Sequence, residues 1–338
     1  MEKSRTFTIS TKRNIAVVAG GYSSEVVISL KSAQGIYSFL DKEKYNVYIV
    51  VITQEQWYVQ LNDGEKTEIN KGDFGFRKGS KNVKFDFAYI TIHGTPGENG
   101  ILQGYLELLN VPYSSCGVLP AALTFNKYFC IQYLKSFGVE TAKSVYLRRG
   151  EKKKPEEIVA ALGLPLFVKP NDSGSSFGTT KVKSIEQLQP AIALAFEEGK
   201  EVIIESFIPG TEVTCGCYKI KEREIVFPVT EVVSKNDFFD FDAKYNPASV
   251  EEITPARISK KLTEEVQSLT SKIYDRIAAK GIIRIDYIIS PDGKVRMLEV
   301  NTTPGMTITS FIPQQVKAAG LDMKDILTEI IENEINNR

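Results

Sequence analysis

Residues 281–305 read Gly-Ile-Ile-Arg-Ile-Asp-Tyr-Ile-Ile-Ser-Pro-Asp-Gly-Lys-Val-Arg-Met-Leu-Glu-Val-Asn-Thr-Thr-Pro-Gly. Two runs rich in β-branched residues flank Pro291-Asp292-Gly293, a turn signature, so residues 281–289 and 295–300 are predicted to form a hairpin. Side chains two apart on a strand share a face. That alternation gathers Arg284, Asp286, Glu299 and Asn301 on one side and turns Ile283, Ile285, Leu298 and Val300 to the other. Oxygen ligands of this kind suit Mg²⁺, above all where phosphates complete its shell. A tight loop, Asn301-Thr-Thr-Pro-Gly305-Met, opens directly beside them. The alternative is a solvated sheet face carrying an ordinary ion pair.

Two further clusters lie upstream. Residues 169–178, Lys-Pro-Asn-Asp-Ser-Gly-Ser-Ser-Phe-Gly, are small enough for a backbone to wrap an anion, with Lys169 adding a point charge. No Gly-Lys-Ser/Thr closes the run and a strand follows it, so it is not a P-loop; a plain flexible turn is the competing reading. Residues 205–212, Glu-Ser-Phe-Ile-Pro-Gly-Thr-Glu, read as strand, turn and new strand. Their backbone groups can pair with a purine edge and Glu212 with a ribose hydroxyl, or the segment is a hinge between subdomains.

Working outward, the N-terminal part reads as α/β. Strands are expected at 15–19, 45–53, 85–92 and 111–114, and helices at 23–40 and 101–109, with residues 62–84 as a polar excursion at the sheet edge. This strand–helix alternation predicts a mostly parallel sheet covered on both faces. One long amphipathic helix is expected over 120–137. The remainder is α+β: strands at 166–169, 179–182 and 202–207, a helix at 184–198, and two strands within 211–233 around the charged turn 221–224. Helices follow at 259–280 and from Met323 onward. Residues 234–255 form a long loop, and loops of that length in compact domains tend to be functional covers. Domain boundaries are expected at 1–119, 120–207 and 208–338.

The chain has 338 residues, with 42 Lys plus Arg balancing 42 Asp plus Glu. That zero balance argues against a nucleic-acid backbone as partner. The composition, 42% hydrophobic and 25% charged, is ordinary for a globular protein. The apolar runs are strand-length, the N-terminus has no apolar centre, and no membrane or export signal is expected, so the cytoplasm is the default compartment. Four cysteines make no disulfide scaffold. Cys215 and Cys217 are expected to be buried small hydrophobes. The single histidine, His93, stands at a strand end before Gly94, better placed for a substrate or anion than for core packing.

Together these clusters resemble, in order and spacing, the ATP-grasp superfamily and within it the D-alanine–D-alanine ligase family. The residues carrying the resemblance are Gly20-Gly21-Tyr-Ser-Ser-Glu25, His93-Gly94 with Gly97-Glu98-Asn-Gly100, Lys127 in Leu-Thr-Phe-Asn-Lys, the 169–178 loop, Lys244-Tyr245, Arg284-Ile-Asp286 and Glu299-Val-Asn301-Thr-Thr-Pro-Gly305-Met. It spans about residues 14–325, nearly the whole chain. It implies an N-terminal α/β parallel-sheet domain joined to an ATP-grasp α+β fold whose two subdomains sandwich the nucleotide. The implied reaction joins two D-alanines at the cost of ATP through a D-alanyl phosphate, for peptidoglycan precursors. Another ATP-grasp carboxylate–amine ligase, or a D-Ala-D-Lac ligase, is the alternative. A non-catalytic nucleotide-binding protein would have lost metal ligands or Arg284, and all are present.

By the same resemblance, Lys127 and Lys169 hold the ATP phosphates, Glu205, Ser206, Ile208 and the linker hold adenine, and Glu212 holds the ribose. Asp286, Glu299 and Asn301 hold two Mg²⁺ ions, with Mn²⁺ as a substitute and a monovalent cation compatible. Arg284 and the Gly305 N–H face the developing oxyanion. Glu25 takes the ammonium of the first D-alanine and His93 lies near its carboxylate; Ser310 and Lys244 take the carboxylate of the second. A Tyr245–Ser175–Glu25 set ties the 234–255 lid, with Phe238, Phe239 and Phe241, to the small-residue loop, and Tyr245 favours an amine nucleophile over D-lactate. Lys244, Ser175 and Asn301 also fall at the nucleotide. A homodimer is implied. Departures from the family pattern are Val26 and Val27 after Glu25, Ser206 in place of a frequent Lys, Phe239 and Phe241 for tyrosines, and Thr309 before Ser310.

Overall fold

The computed structural model describes residues 12–23, 25–61, 64–172, 174, 178–234 and 250–337. Three sheets organise them. The first has seven strands: β1 (Arg13–Gly20), β2 (Tyr45–Ile52), β3 (Trp57–Gln60), β4 (Lys66–Asn70), β5 (Gly75–Lys78), β6 (Lys81–Lys84) and β7 (Phe87–Ile90), in the order β6-β5-β4-β3-β2-β1-β7. Only β2-β1-β7 is parallel; β3 to β6 extend the sheet antiparallel. The expected mostly parallel sheet is therefore mixed, and the polar excursion at 62–84 is in fact three edge strands. Phe74, Phe76 and Phe85 are buried beneath that edge, which gives its polar strands an apolar underside. Residues 111–114 contribute one bridge, Ala88 to Tyr113, rather than a strand. Helix α1 (Val26–Phe39) follows β1, and α2 (Ile101–Leu108) follows β7.

The helix expected over 120–137 is broken. It forms α3 (Val118–Phe125) and α4 (Lys127–Lys135), separated by Asn126. Asn126 adopts extended backbone and its side chain accepts from the Phe129 N–H, making it the N-cap of α4. The freed Lys127 N–H donates to the Asn171 carbonyl, 3.1 Å away. The break thus fixes the first residue of α4, Lys127, against the start of the small-residue loop.

The second sheet, antiparallel throughout, runs β10 (Thr180–Val182), β9 (Leu166–Pro170), β11 (Glu201–Ser206), β8 (Ser144–Arg148). Helices α5 (Pro155–Leu162) and α6 (Leu188–Glu198) accompany it. Neither β8 nor α5 is evident from the sequence pattern. The third sheet is β15 (Val250–Ile253), β14 (Thr230–Ser234), β12 (Thr211–Ile220), β16 (Ile283–Ile289), β17 (Val295–Asn301), with β13 (Arg223–Val226) beside β12. Residues 211–233 therefore hold three strands, not two. Within the expected 234–255 loop, Ser234 pairs with Val250 and residues 250–253 are strand; residues 235–249 lie outside the described set.

The predicted hairpin is β16–β17, with one irregularity. Asp286 pairs with Glu299 but Tyr287 pairs with Met297, so Leu298 is the extra residue of a bulge. Leu298 is only half-buried, and alternation resets there instead of turning it to the core with Val300. Helix α7 (Lys260–Arg276) covers the apolar face of this sheet, packing Val266 and Ile273 among Cys215, Cys217, Ile283 and Ile285. Helices α8 (Phe311–Ala318) and α9 (Met323–Asn336) join α1 and β1 in one core, where Ile312, Val316, Ile330 and Ile331 meet Ile15 and Ile36. The N- and C-terminal parts are thus packed as one body around the cleft between them.

Candidate active site

A cavity of about 1040 Å³ opens between the N-terminal part, the α3–α4 junction and the third sheet. Glu25 and His93 reach it from the first sheet, Lys127 and Gly174 from the middle of the chain, and Arg284, Glu299, Asn301, Gly305 and Ser310 from the third.

Glu25 sits at the N-terminus of α1 and is 6% exposed. Its carboxylate lies against Gly174: a Cβ there would stand 2.7 and 2.8 Å from the two carboxylate oxygens, so a side chain at 174 would displace the Glu25 carboxylate. His93 is buried at the end of the β7 segment, and its Nε2 has no hydrogen-bond partner among the described residues. Burial lowers its pKa, the Glu25 charge acts the other way, and Arg284 adds to the lowering. A neutral imidazole with an unspent buried nitrogen is an unsatisfied group that a ligand can complete.

Glu98 also faces this cavity, and its part in the site is not evident from the sequence beyond membership of the Gly97–Gly100 motif. The Gly94 N–H donates to its Oε2 at 2.7 Å. Burial, then the Glu25 charge, pushes the carboxyl up to about 8 against the Gly94 hydrogen bond and Lys127. Its signal was its spacing after His93-Gly94, but the charges that surround it become visible only in three dimensions.

On the hairpin, the Arg284 Nε and Nη2 donate to the two oxygens of Asp286, both at 2.9 Å. The Asn301 amide donates to Asp286 at 3.0 Å, and the Thr214 hydroxyl, from β12, at 2.6 Å. Burial works to lower the Arg284 pKa, but Asp286, Glu299 and Glu98 raise it, so the guanidinium remains charged. The Arg284 guanidinium also lies 5.3 Å from the centre of the Phe311 ring. Lys127 Nζ is 3.8 Å from a Glu299 oxygen. Lys169 Nζ, on β9, is 2.5 Å from Glu205 on neighbouring β11. Burial opposes the Lys169 charge, yet Glu205 and Glu299 outweigh it and raise its pKa. Two lysines and an arginine thus surround a space edged by carboxylates, a charge pattern suited to a polyphosphate that arrives with a cation.

Glu205 is accordingly engaged with Lys169. The Ser206 hydroxyl accepts from the Lys143 N–H at 3.2 Å, while Ile208 and Glu212 are half-buried at and beyond the turn into β12. Ser310 precedes α8; its Oγ accepts from the Thr307 N–H at 3.0 Å and bonds the Thr307 hydroxyl at 2.8 Å. A Cβ on Gly305 would come 3.1 Å from that Oγ, so the Gly305 backbone closely abuts Ser310. Ser175, Lys244, Tyr245 and the phenylalanines Phe238, Phe239 and Phe241 lie outside the described residues.

The donor set fits Mg²⁺. Asp286, Glu299 and Asn301 bring two carboxylates and one amide to neighbouring positions of β16 and β17, and no group of three or more His, Cys, Asp or Glu side chains forms a metal cage among the described residues. A hard ion with few protein ligands and substrate phosphates in the rest of its shell matches that pattern.

A model of the D-ala D-ala ligase N-terminus matches residues 14–116, and one of the D-ala D-ala ligase C-terminus matches residues 133–332. The chain belongs to the D-alanine–D-alanine ligase family. It is 64% identical over 327 residues to a D-alanine--D-alanine ligase of Parabacteroides distasonis, covering 97% of this chain and 99% of the relative. It is 63% identical over 322 residues to the Bacteroides fragilis one, covering 95% and 99%. Among solved structures, a D-Ala:D-Ser ligase from Enterococcus faecalis superposes with a TM-score of 0.86 at 33% identity, covering 96% of this chain and 100% of that one. A D-alanyl-alanine synthetase A from Vibrio cholerae gives 0.87 at 27% identity, covering 97% and 99%. The fold is ATP-grasp behind an N-terminal α/β domain, and the chain is a ligase that uses ATP. No helix among the described residues is long and apolar enough to cross a membrane.

Proposed function

We propose that this cleft joins D-alanine to D-alanine for a peptidoglycan precursor, with ATP activating the first carboxylate. The observation that carries the reading is one cavity lined at once by Glu25 and His93, by Lys127, and by Arg284, Glu299 and Asn301, with Asp286 bonded behind Arg284. A carboxylate resists attack by an amine until one oxygen becomes a leaving group. The first D-alanine's carboxylate oxygen attacks the γ-phosphorus and ADP departs. The second D-alanine's amine, having lost a proton, attacks the acyl carbon, and phosphate leaves with that oxygen.

The chain's residues position and neutralise these charges. Glu25 receives the first ammonium, and the open Nε2 of His93 meets the same substrate. Lys127 and Lys169 hold the phosphates; the turn at Glu205, Ser206 and Ile208 holds adenine and Glu212 the ribose. Asp286, Glu299 and Asn301 would hold two Mg²⁺ ions, which when bound would neutralise the transferring phosphoryl group; Mn²⁺ and a monovalent cation are variables of the same assay. Arg284 spends its Nε and Nη2 on Asp286 and keeps Nη1 for the developing oxyanion, which the Gly305 N–H also faces. Ser310 and Lys244 receive the second carboxylate, and the Tyr245–Ser175–Glu25 set closes the cleft. The domain limits 1–119, 120–207 and 208–338, a homodimer and a cytoplasmic location belong to the same proposal.

D-Alanine labelled with ¹⁸O in its carboxylate tests the chemistry. Incubation with ATP and Mg²⁺ is expected to give dipeptide together with phosphate that carries one labelled oxygen. Unlabelled phosphate would rule out the acyl phosphate. D-Lactate and D-serine offered as competing nucleophiles are expected to give minor products, and a dominant ester or seryl product would reassign the specificity.

A further inference from the structure

We infer that Gln315, a fully buried glutamine on α8, is a positioning residue that locks the second amino acid's subsite to the strand carrying Arg284 and Asp286. The inference rests on the proposed role of Ser310. Gln315 is 0% exposed, and all of its amide is spent. Its Oε1 accepts from the Gly216 N–H at 3.0 Å. Its Nε2 donates to the Thr214 carbonyl and to the Thr230 hydroxyl, both at 3.0 Å. A buried amide satisfied on three sides is costly to leave unmatched, so it specifies one arrangement of the elements it joins.

Those elements are the ones the chemistry needs. Gly216 and Thr214 lie on β12, where they are the direct register partners of Arg284 and Asp286 on β16. Thr214 uses its hydroxyl on Asp286 while its carbonyl holds Gln315. At the other end, Gln315 sits on the same short helix whose N-terminus begins at Ser310 and Phe311. The approach demands glycine at 216: a Cβ there would stand 2.4 Å from the Ile312 side chain and 2.9 Å from the Gln315 amide oxygen. A third branch runs through Thr230, whose hydroxyl bonds that of Thr254 at 2.6 Å, just beyond β15. One side chain therefore sets the spacing between Ser310 and Asp286 without touching either.

The test is the steady-state dependence on D-alanine, resolved into its two Michaelis constants, in the full-length enzyme with saturating Mg²⁺ and ATP. Q315M keeps the volume and removes the amide. It is expected to raise the second D-alanine constant about tenfold, the scale of one lost buried hydrogen bond, with the ATP constant unchanged. T230V, which removes a single branch, is expected to move the same constant roughly threefold and carries the test if Q315M does not fold. S310A serves as the reference. An S310A enzyme with an unaltered second constant overturns the subsite reading, and this inference with it. A shifted constant in S310A with none in Q315M or T230V, even with a lowered melting temperature, overturns the positioning role alone.

Discussion

The two faces of the β12–β16–β17 sheet are made by alternate residues of the same strands, yet they do opposite work. On one, Cys215, Cys217, Ile283, Ile285 and Tyr287 are 0% exposed under α7. Burial pushes the Cys215 thiol up to about 12, so it stays an uncharged hydrophobe. On the other, Arg284, Asp286, Glu299 and Asn301 bond to each other or face Lys127. The first face gains stability by leaving water. The second holds charges out of water, where pairing roughly offsets desolvation and yields little net stability. The contrast shows where the fold's stability and its chemistry are kept apart, one residue from each other along the chain.

That separation predicts unequal mutants. Arg284→Ala should lower kcat by about 10²–10³-fold, the cost of losing an oxyanion donor, while equilibrium ATP binding changes little; comparable losses in both would erase the distinction. Ile285→Ala, the next residue, should cost about 2–5 kcal/mol of unfolding free energy in a denaturant titration and leave both Michaelis constants of the folded enzyme unaltered. Glu98→Gln sharpens the charged side. Glu98 has an ordinary pKa of about 4.3 when unfolded and is pushed up to about 8 when folded. Between those values the native state binds more protons, so this group's contribution to stability falls as pH rises through the window. Melting of the ligand-free enzyme across that range should show a decline that Glu98→Gln flattens; an equal slope in both proteins would remove Glu98 from the charge cluster. Cys217→Ala should have the smallest effect, about 1 kcal/mol of stability with kcat unchanged, and a catalytic defect there would show that the apolar face is not inert.

Much of this sheet is legible in the sequence because its signal is local. Period-two alternation and Pro291-Asp292-Gly293 suffice for the hairpin, and the alternation alone collects the four polar residues. What fails to be legible depends on distant partners. The pattern over 120–137 is continuous, and the interruption at Asn126 exists because the Lys127 N–H finds the Asn171 carbonyl. The bulge at Leu298 is a property of two strands in register, not of one. Strands β4 to β6 look like loop because the buried aromatics in and beside them, Phe76 on β5 with Phe74 and Phe85 flanking, are spaced irregularly among polar residues. Glu98 belongs to a recognisable motif, but its raised pKa comes from burial and then from Glu25, 73 positions earlier in the chain, both of which only the fold supplies.

In the proposed function, the polar face of β16–β17 receives the nucleotide's phosphates. A crystal structure of the full chain grown with Mg²⁺ and ATP tests it most directly. Density is expected for the β- and γ-phosphates between Lys127, Lys169 and the Asp286–Glu299–Asn301 set, with cation density in contact with those oxygens. Phosphates bound elsewhere, with Arg284, Asp286 and Glu299 turned away from them, would contradict it.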